Sequence, residues 1–436
     1  MPWSTRPRWP QNPNADRMHY SLDPSVVRPD DGSTLTGGSD YTIARLDPRQ
    51  LGQFDSLIDP GIRSVCNEHG EFTRFLLQRN LIQPQPGHTP PAAVALVIPC
   101  RNHETALRTL LHRIDDALRA AFAEIVVVDD GSTPPIGDLG IPGIRTVRHE
   151  QTRGAAAARQ TGWHATQAPL ILFADADLSS LGPDILALTR FFNDDSVGAV
   201  AARVLSGEQP PKVPAAIRAF EQNCGTLDMG PTPSEVLPRT RVPYAPTAAL
   251  AVRRTALQSI GGFDPALQIG EDVDLVWRLI EAGWRVRYQP SVTVTHVPRS
   301  SWPSWLRQRY IYGRSNAALA HRHPQNVVAV EATVGNVLPW LGVLWGGRRG
   351  AIFAGSTAIL GALPLLHRLQ LITTDPLPRA VTLQGLGIGY AGTALAQTIR
   401  RSWLPLGIVA TAMKPRRAVV LVASFVVPAS LRWFMD

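Results

Sequence analysis

Two aspartates one residue apart, Asp175 and Asp177, follow directly on the apolar run Leu170-Ile171-Leu172-Phe173-Ala174. A short unbroken apolar run of this kind reads as a strand buried on both faces of a sheet. Extended-chain alternation then places both carboxylates on one side of the strand's carboxyl edge, the edge at which open α/β sheets take their ligands. Such a pair suits a hard divalent cation that keeps waters and takes phosphate oxygens as its other ligands. Asp-x-Asp pairs also occur in ordinary solvated turns, and it is the position after a buried strand that sets this one apart.

Four further groups carry chemistry. Asp129-Asp130-Gly131-Ser132 follows the apolar run at 125–128. It is either a helix-capping turn, with Asp and Ser meeting free amides, or a pair of carboxylates accepting from a base imide and ribose hydroxyls. Arg153 and Arg159 flank the small-residue run 154–158. That pattern gives either a tightly packed helix with solvated arginines, or a helix that approaches a nucleotide while arginine meets phosphate. Glu271-Asp272 opens a helix, where complementation of the helix dipole is sufficient reason for Glu271 and for Asp274. Asp272 is the residue expected to act as general base, lying across from the site for a diphosphate. His296 alone would be a packed core histidine; beside Asp175 and Asp177 it becomes a third metal ligand.

The elements that must position these residues follow from composition and pattern. At 436 residues the chain is long enough for two or three folding units. Its net charge of +8 comes from 43 Lys and Arg that are dispersed rather than blocked. This favours an anionic membrane over nucleic acid as partner. Cys66, Cys100 and Cys224 stand far apart, which argues against a zinc site or disulfide framework and for a reducing cytoplasm. No secretory signal pattern opens the sequence. Residues 1–20 read as a mobile extension. Residues 21–86 read as a small α+β module, with strands at 26–28 and 40–43, a turn at 29–32 and a helix at 70–80. A proline-rich linker is expected at 84–91.

Over 92–300 strands and helices alternate. Strands are expected at 94–98, 125–128, 170–173 and 197–202, with helices at 107–122, 154–167 and 185–192. This order gives a parallel α/β sheet with right-handed crossovers. An irregular stretch at 206–246 precedes a strand at 248–252, a helix from Glu271 to Gly283 and a strand at 292–297. Over 301–326, Trp302, Trp305, Tyr310 and Tyr312 alternate with Arg307, Arg309 and Arg314. The mixture suits a helix lying in a membrane interface, or the wall of a groove for an anionic donor. Over 327–436, apolar runs at 327–345, 350–366, 381–399 and 418–434 stand near the roughly 20-residue spanning length. They are expected to be spans or re-entrant helices, with a buried helical bundle as the alternative.

Taken in order, Val97-Ile98-Pro99, Val127-Val128-Asp129-Asp130-Gly131-Ser132, Arg153-Gly154 with Ala158-Arg159, Phe173-Ala174-Asp175-Ala176-Asp177 and Gly270-Glu271-Asp272 resemble the family 2 glycosyltransferases. The resemblance implies the GT-A fold, an α/β architecture whose mixed, mostly parallel sheet lies between helices. It also implies a nucleotide-sugar donor, a Mg²⁺ or Mn²⁺ ion on the Asp-x-Asp motif, and inversion at the sugar carbon. On that basis the donor lies among Pro99, Arg101, Asp129, Asp130, Gly131, Arg153, Gly154, Arg159 and Asp175. The metal falls to Asp175, Asp177 and His296, and Asp272 deprotonates the acceptor. Two features depart from the pattern. Gln160 stands where the family has Asn, and Arg307 to Gly313 replaces the Gln-x-x-Arg-Trp of processive members.

A narrower resemblance rests on Leu35-Thr36-Gly37-Gly38-Ser39, the segment 72–83 and the stretch 298–313. These are similar to the mycofactocin-system glycosyltransferases. That implies UDP-glucose as donor, β-linked glucoses added to a redox cofactor made from a ribosomal peptide, and a peptide-binding-like N-terminal module. The expected place is the cytoplasmic face of the cell membrane. An envelope polysaccharide or lipid acceptor would use the same chemistry. A nucleotidyltransferase would need a glycine-rich signature near its first strand, which residues 97–102 lack. A non-catalytic scaffold would tolerate loss of Asp272.

Overall fold

A computed structural model describes residues 19–28, 32–38, 42–58, 71–85, 92–207, 213–225, 227–297, 301–327, 332–370 and 375–401. The expected extension before residue 19, most of the 29–32 turn, the linker residues 86–91 and the apolar run at 418–434 lie outside these. The chain forms two compact units, Met1–Arg322 and His323–Asp436.

The first unit opens with β1 (His19–Leu22), β2 (Thr34–Gly37), β3 (Thr42–Arg45), α1 (Pro48–Ile58), α2 (Glu71–Gln78) and β4 (Ile82–Gln85). β1 pairs antiparallel with β4, and β2 with β3. Leu35, Phe54, Leu76, Leu77 and Leu81 form their shared core. The expected linker start is instead strand: Pro84 sits opposite Tyr20 in β4, and proline is tolerated there because a two-stranded ribbon consists of edges.

The larger sheet and its helices follow as β5 (Val94–Cys100), α3 (Glu104–Arg113), α4 (Asp116–Ala121), β6 (Glu124–Asp130), β7 (Ile144–His149), α5 (Ala155–His164), β8 (Leu170–Ala174) and β9 (Leu178–Ser180). After a 3-10 helix at Pro183–Asn193 come β10 (Val197–Ser206), α6 (Ala215–Cys224), β11 (Ser234–Glu235), β12 (Ala249–Arg253), α7 (Arg254–Ile260), α8 (Glu271–Glu281), β13 (Arg285–His296) and α9 (Trp302–Arg322). The nine-stranded sheet runs β11-β13-β10-β12-β8-β5-β6-β7, with β9 on β13. β8, β5, β6 and β7 are parallel, as are β10 and β13. β12 lies antiparallel to both β8 and β10. The sheet is therefore mixed, and β12 is the strand that joins its two parallel parts.

Every residue of β8 is buried, as its unbroken apolar run requires. The expected single helix over 107–122 is two. Asp115 leaves the helical conformation and accepts from Leu118 N at 2.7 Å, capping α4. The expected helix at 185–192 is a 3-10 helix, and β7 had no expectation because Arg145, Arg148 and His149 interrupt its apolar pattern.

The second unit contains α10 (Val334–Trp345), α11 (Gly347–Gln370) and α12 (Pro376–Arg401). α10 and α11 pack closely: a Cβ on Gly342 would stand 2.6 Å from the Gly350 carbonyl oxygen. Trp340 Nε1 donates to Ile388 O of α12 at 2.8 Å. Among the described residues, one helix, Gly347–Gln370, is long and apolar enough to cross a membrane, and only 6% of its apolar window is buried. α10 is apolar but too short.

Candidate active site

The site lies where β5, β6 and β8 end and α5 and α8 begin. At the end of β6, Asp129 accepts from Ser132 N at 2.9 Å, from Ile136 N at 3.2 Å and from the Arg148 guanidinium. Asp130 accepts from His149 Nδ1 at 2.8 Å, Thr152 Oγ1 at 2.8 Å, Arg153 N at 2.8 Å and Gly154 N at 2.9 Å. Burial pushes both carboxyls up, and the converging donors more than reverse it, so both lie below the ordinary aspartate value. Both oxygens of each are engaged, and both side chains are buried. They hold two turns, as the helix-capping alternative describes.

Those turns shape the rim of the site at the ends of β5 and β6. Gly131 has φ +69°, and a Cβ there would stand 2.5 Å from Thr152 N, so only glycine lets the 131 and 152 turns meet. Asn102 N donates to Ser132 Oγ at 3.0 Å while Thr133 N donates to Asn102 Oδ1 at 2.9 Å, tying the turn after β5 to the turn after β6. Pro99 pairs with Val128 within the sheet. Arg101 and Arg153 are solvent-exposed at this rim, and Gly154 caps α5 at φ +94°.

Arg159 is not a solvated arginine. It is 5% exposed. It donates to Asp175 Oδ1 at 2.6 Å and to Glu271 Oε1 at 2.8 Å, with its guanidinium 5.9 Å from the Phe263 ring centroid. Burial disfavours its charge, but the two carboxylates hold it more firmly protonated than a free arginine. Arg159 thus fastens the end of β8 to the start of α8.

The Asp-x-Asp segment is a turn rather than an extended strand end. β8 stops at Ala174, and Leu178 N donates to Asp175 O at 3.2 Å. Alternation therefore does not govern the two carboxylates. Asp175 meets Arg159, while Asp177 Oδ2 lies 3.1 Å from His296 Nε2 at the end of β13. Among the described residues no group of three His, Cys, Asp or Glu is assembled to hold a metal ion. The expected set of Asp175, Asp177 and His296 is so far two residues. Asp177 and His296, partly exposed and adjacent, offer an oxygen and an imidazole that fit a divalent cation completing its shell with phosphate and water.

Asp272 lies in the first turn of α8, whose N-cap Gly270 has φ +80°. Its Oδ1 accepts from Val273 N at 2.8 Å. Burial, then the neighbouring Glu271 charge, raise its pKa to about 7, against the opposing pull of the Val273 amide and Arg159. Asp175 adds to the rise. A carboxyl at that value takes and returns protons near neutral pH. Tyr312 of α9, unassigned by the motifs, belongs to the same field. Burial and then the charges of Asp272 and Asp175 push its phenol up to about 12. Gln160, which replaces the family's Asn, accepts from Trp163 Nε1 and Phe263 N at 2.8 Å, so it braces α5 against the loop before α8.

The family model "Glycosyltransferase like family 2" matches residues 90–310. The pre-mycofactocin glycosyltransferase of Mycobacterium tuberculosis is 34% identical over 406 residues, covering 91% of this chain and 83% of that protein. A probable glycosyltransferase of Bacillus subtilis is 24% identical over 238 residues, 51% of this chain and 55% of its own. Among solved structures, a mannosyltransferase from Pyrobaculum calidifontis in complex with GDP-Man and Mn²⁺ covers 79% of this chain and 88% of its own at 19% identity and a TM-score of 0.41. Glucosyl-3-phosphoglycerate synthase from Mycobacterium tuberculosis with Mn²⁺ and UDP-glucose covers 56% and 88% at 18% identity and a TM-score of 0.37.

Proposed function

The chain belongs to the family 2-like glycosyltransferases, and from that premise we propose that it transfers glucose from UDP-glucose, with inversion, to a hydroxyl of a mycofactocin precursor. The observation that carries the reading is one connected set of charges: Asp272, held near neutrality, is joined through Glu271 and Arg159 to Asp175 at the end of β8. The acceptor is taken from the name of the relative, pre-mycofactocin glycosyltransferase, which is 34% identical over 91% of this chain.

In the proposed reaction the acceptor oxygen attacks the anomeric carbon from the face opposite the diphosphate. The new C–O bond forms as the bond to the β-phosphate oxygen breaks, and that oxygen keeps the electron pair. Asp272 takes the acceptor's proton. Arg159 holds Asp175 and Glu271 in place. The turns built on Asp129, Asp130 and Gly131 would shape the donor site, with Arg101 and Arg153 at its rim. Asp177 and His296 would hold a Mg²⁺ or Mn²⁺ ion, and when that ion is bound the charge of the departing diphosphate is offset.

A second reading keeps this chemistry and moves the acceptor to an envelope lipid or polysaccharide. The exposed apolar helix Gly347–Gln370 favours it, and the same helix supports placement at the cytoplasmic face of the membrane. Incubating the purified chain with Mn²⁺, a panel of nucleotide sugars and either acceptor, then weighing the products, separates the two. Hexose gain on the mycofactocin precursor from UDP-glucose alone, abolished by EDTA, supports the first. Gain only on a lipid acceptor moves the assignment to the second.

A further inference from the structure

The second unit holds a cavity that the proposed reaction does not use. It measures about 530 Å³ and lies among α10, α11 and α12. Leu338, Leu360, Pro364 and Leu365 give it apolar walls, and among the described residues no charged side chain lines it. Two side-chain amides do, those of Asn336 in α10 and Gln384 in α12. Glycines make the room for them. A Cβ on Gly361 would stand 2.4 Å from Gln384 Nε2, and one on Gly387 would stand 2.5 Å from Asn336 Nδ2.

These polar groups are poorly satisfied by the protein itself. Gln384 is 5% exposed. Its Nε2 reaches Gly335 O only at 3.5 Å, and its Oε1 has no donor among the described residues. The Asn336 side-chain amide likewise has no hydrogen-bond partner among them. Gly335 O has lost its usual helical partner, because Pro339, four residues on within α10, has no N–H to give it. A buried amide or carbonyl left in this condition is costly. One small group answers all three: a hydroxyl donates to Gln384 Oε1 or Gly335 O and accepts from Asn336 Nδ2.

We propose that this cavity binds an uncharged lipid through a free hydroxyl in its head, with Gln384, Asn336 and Gly335 O as the polar contacts. The walls accept the apolar part of the molecule, and a volume of this size suits a head with the first part of its chains. A phosphate head would bring a negative charge to a site with no cation to meet it. The source of the ligand is set by the outside of the same helices. Val343, Leu344, Ile359, Leu363 and Val381 are exposed there, a surface that suits lipid and not water. The site is separate from sugar transfer, so its occupancy is read with no nucleotide sugar present.

The test uses the full-length chain in phosphatidylcholine nanodiscs and radiolabelled dioctanoylglycerol, read as label retained above empty nanodiscs of the same composition. Wild-type protein should bind this lipid about tenfold more tightly than its O-acetyl derivative, which keeps the chains and loses the hydroxyl. It should also bind it more tightly than dioctanoyl phosphatidic acid. Gln384→Leu should bind the hydroxyl and acetyl forms alike while keeping its thermal stability, since an apolar side chain leaves no amide unpaired. Gly361→Ala, whose Cβ meets the Gln384 amide, should weaken binding of the hydroxyl form. Asn336→Leu reads the same selectivity from the other amide, so a poorly folded Gln384 variant leaves the test intact. Equal binding of the hydroxyl and acetyl forms by the wild type would mark a crevice open to any acyl chain and overturn the proposal. Preference for phosphatidic acid, no binding above the empty nanodiscs, or unchanged selectivity in the folded leucine variants would overturn it too.

Discussion

Asp272, the proposed base, has neighbours that pull its pKa in opposite directions. Burial and Glu271 raise its pKa to about 7, and Arg159 restrains it. The base works when deprotonated, so kcat/KM should fall about tenfold for each pH unit below about 7. Arg159→Met removes the restraining charge and should move this acidic limb to higher pH, measurable in a pH–rate profile. It also leaves Asp175 and Glu271 without their shared partner, a loss of about 3–5 kcal/mol by analogy with broken buried pairs. Linkage gives Asp272 a second signature. Its folded pKa stands above the unfolded value of about 3.9, so its stabilising contribution is complete below that value and is lost as pH rises through about 7. Asp272→Asn should therefore raise Tm more at pH 8 than at pH 5, by a few degrees. At this scale the sequence was partly legible. Asp272 opens α8 and Asp177 lies beside His296, while the internal partners of Arg159, Asp129 and Asp130 could not be read along the chain. A motif specifies a charge and its neighbours along the chain; it does not specify how many amides will converge on that charge.

The elements show the same division. Apolar runs disclosed β5, β6, β8 and β10 because strands buried on both faces have no other composition available. The turn at 175–178 was missed because β8 ends one residue before the first aspartate, and nothing in the apolar run marks that stop. Asp115 broke an expected helix whose apolar spacing continued across it. The meeting of the turn after β6 with the turn after β7 is the feature most dependent on a single residue. Gly131→Ala places a Cβ 2.5 Å from Thr152 N at φ +69°. The backbone conformation alone costs about 1–3 kcal/mol, and the clash adds to it. Thermal unfolding should show a clear loss of stability, and on the proposed placement of the donor beside these two turns UDP affinity should fall with it.

Over the whole first unit, a buried polar network joins the N-terminal module to the sheet. Arg285 and Arg287 of β13 are 2% and 1% exposed. Both pair with Glu235 of β11 at 3.1 Å, Arg285 also pairs with Asp194 at 2.6 Å, and Arg287 donates to Gln83 of β4 at 2.6 Å. Asn80 Oδ1 accepts from Glu235 N at 2.7 Å. Burial pulls the Arg287 guanidinium down to about 10, against the restoring charge of Glu235. Glu235→Ala would leave two buried arginines short of their carboxylate and should cost about 3–5 kcal/mol, read as a drop in the denaturation midpoint. None of this was visible along the chain, since its members come from four distant stretches and each alone looks like a solvated charge. Linker-like prolines at 84–91 suggested a separate module, whereas Gln83 reaches into the heart of that network.

The most direct measurement sets the transfer rate of Asp272→Asn beside its affinity for UDP in the presence of Mn²⁺. The expected result is glucose transfer lowered by about two to four orders of magnitude with UDP bound as tightly as by the wild type. Transfer at the wild-type rate would contradict the assignment of Asp272 as the base.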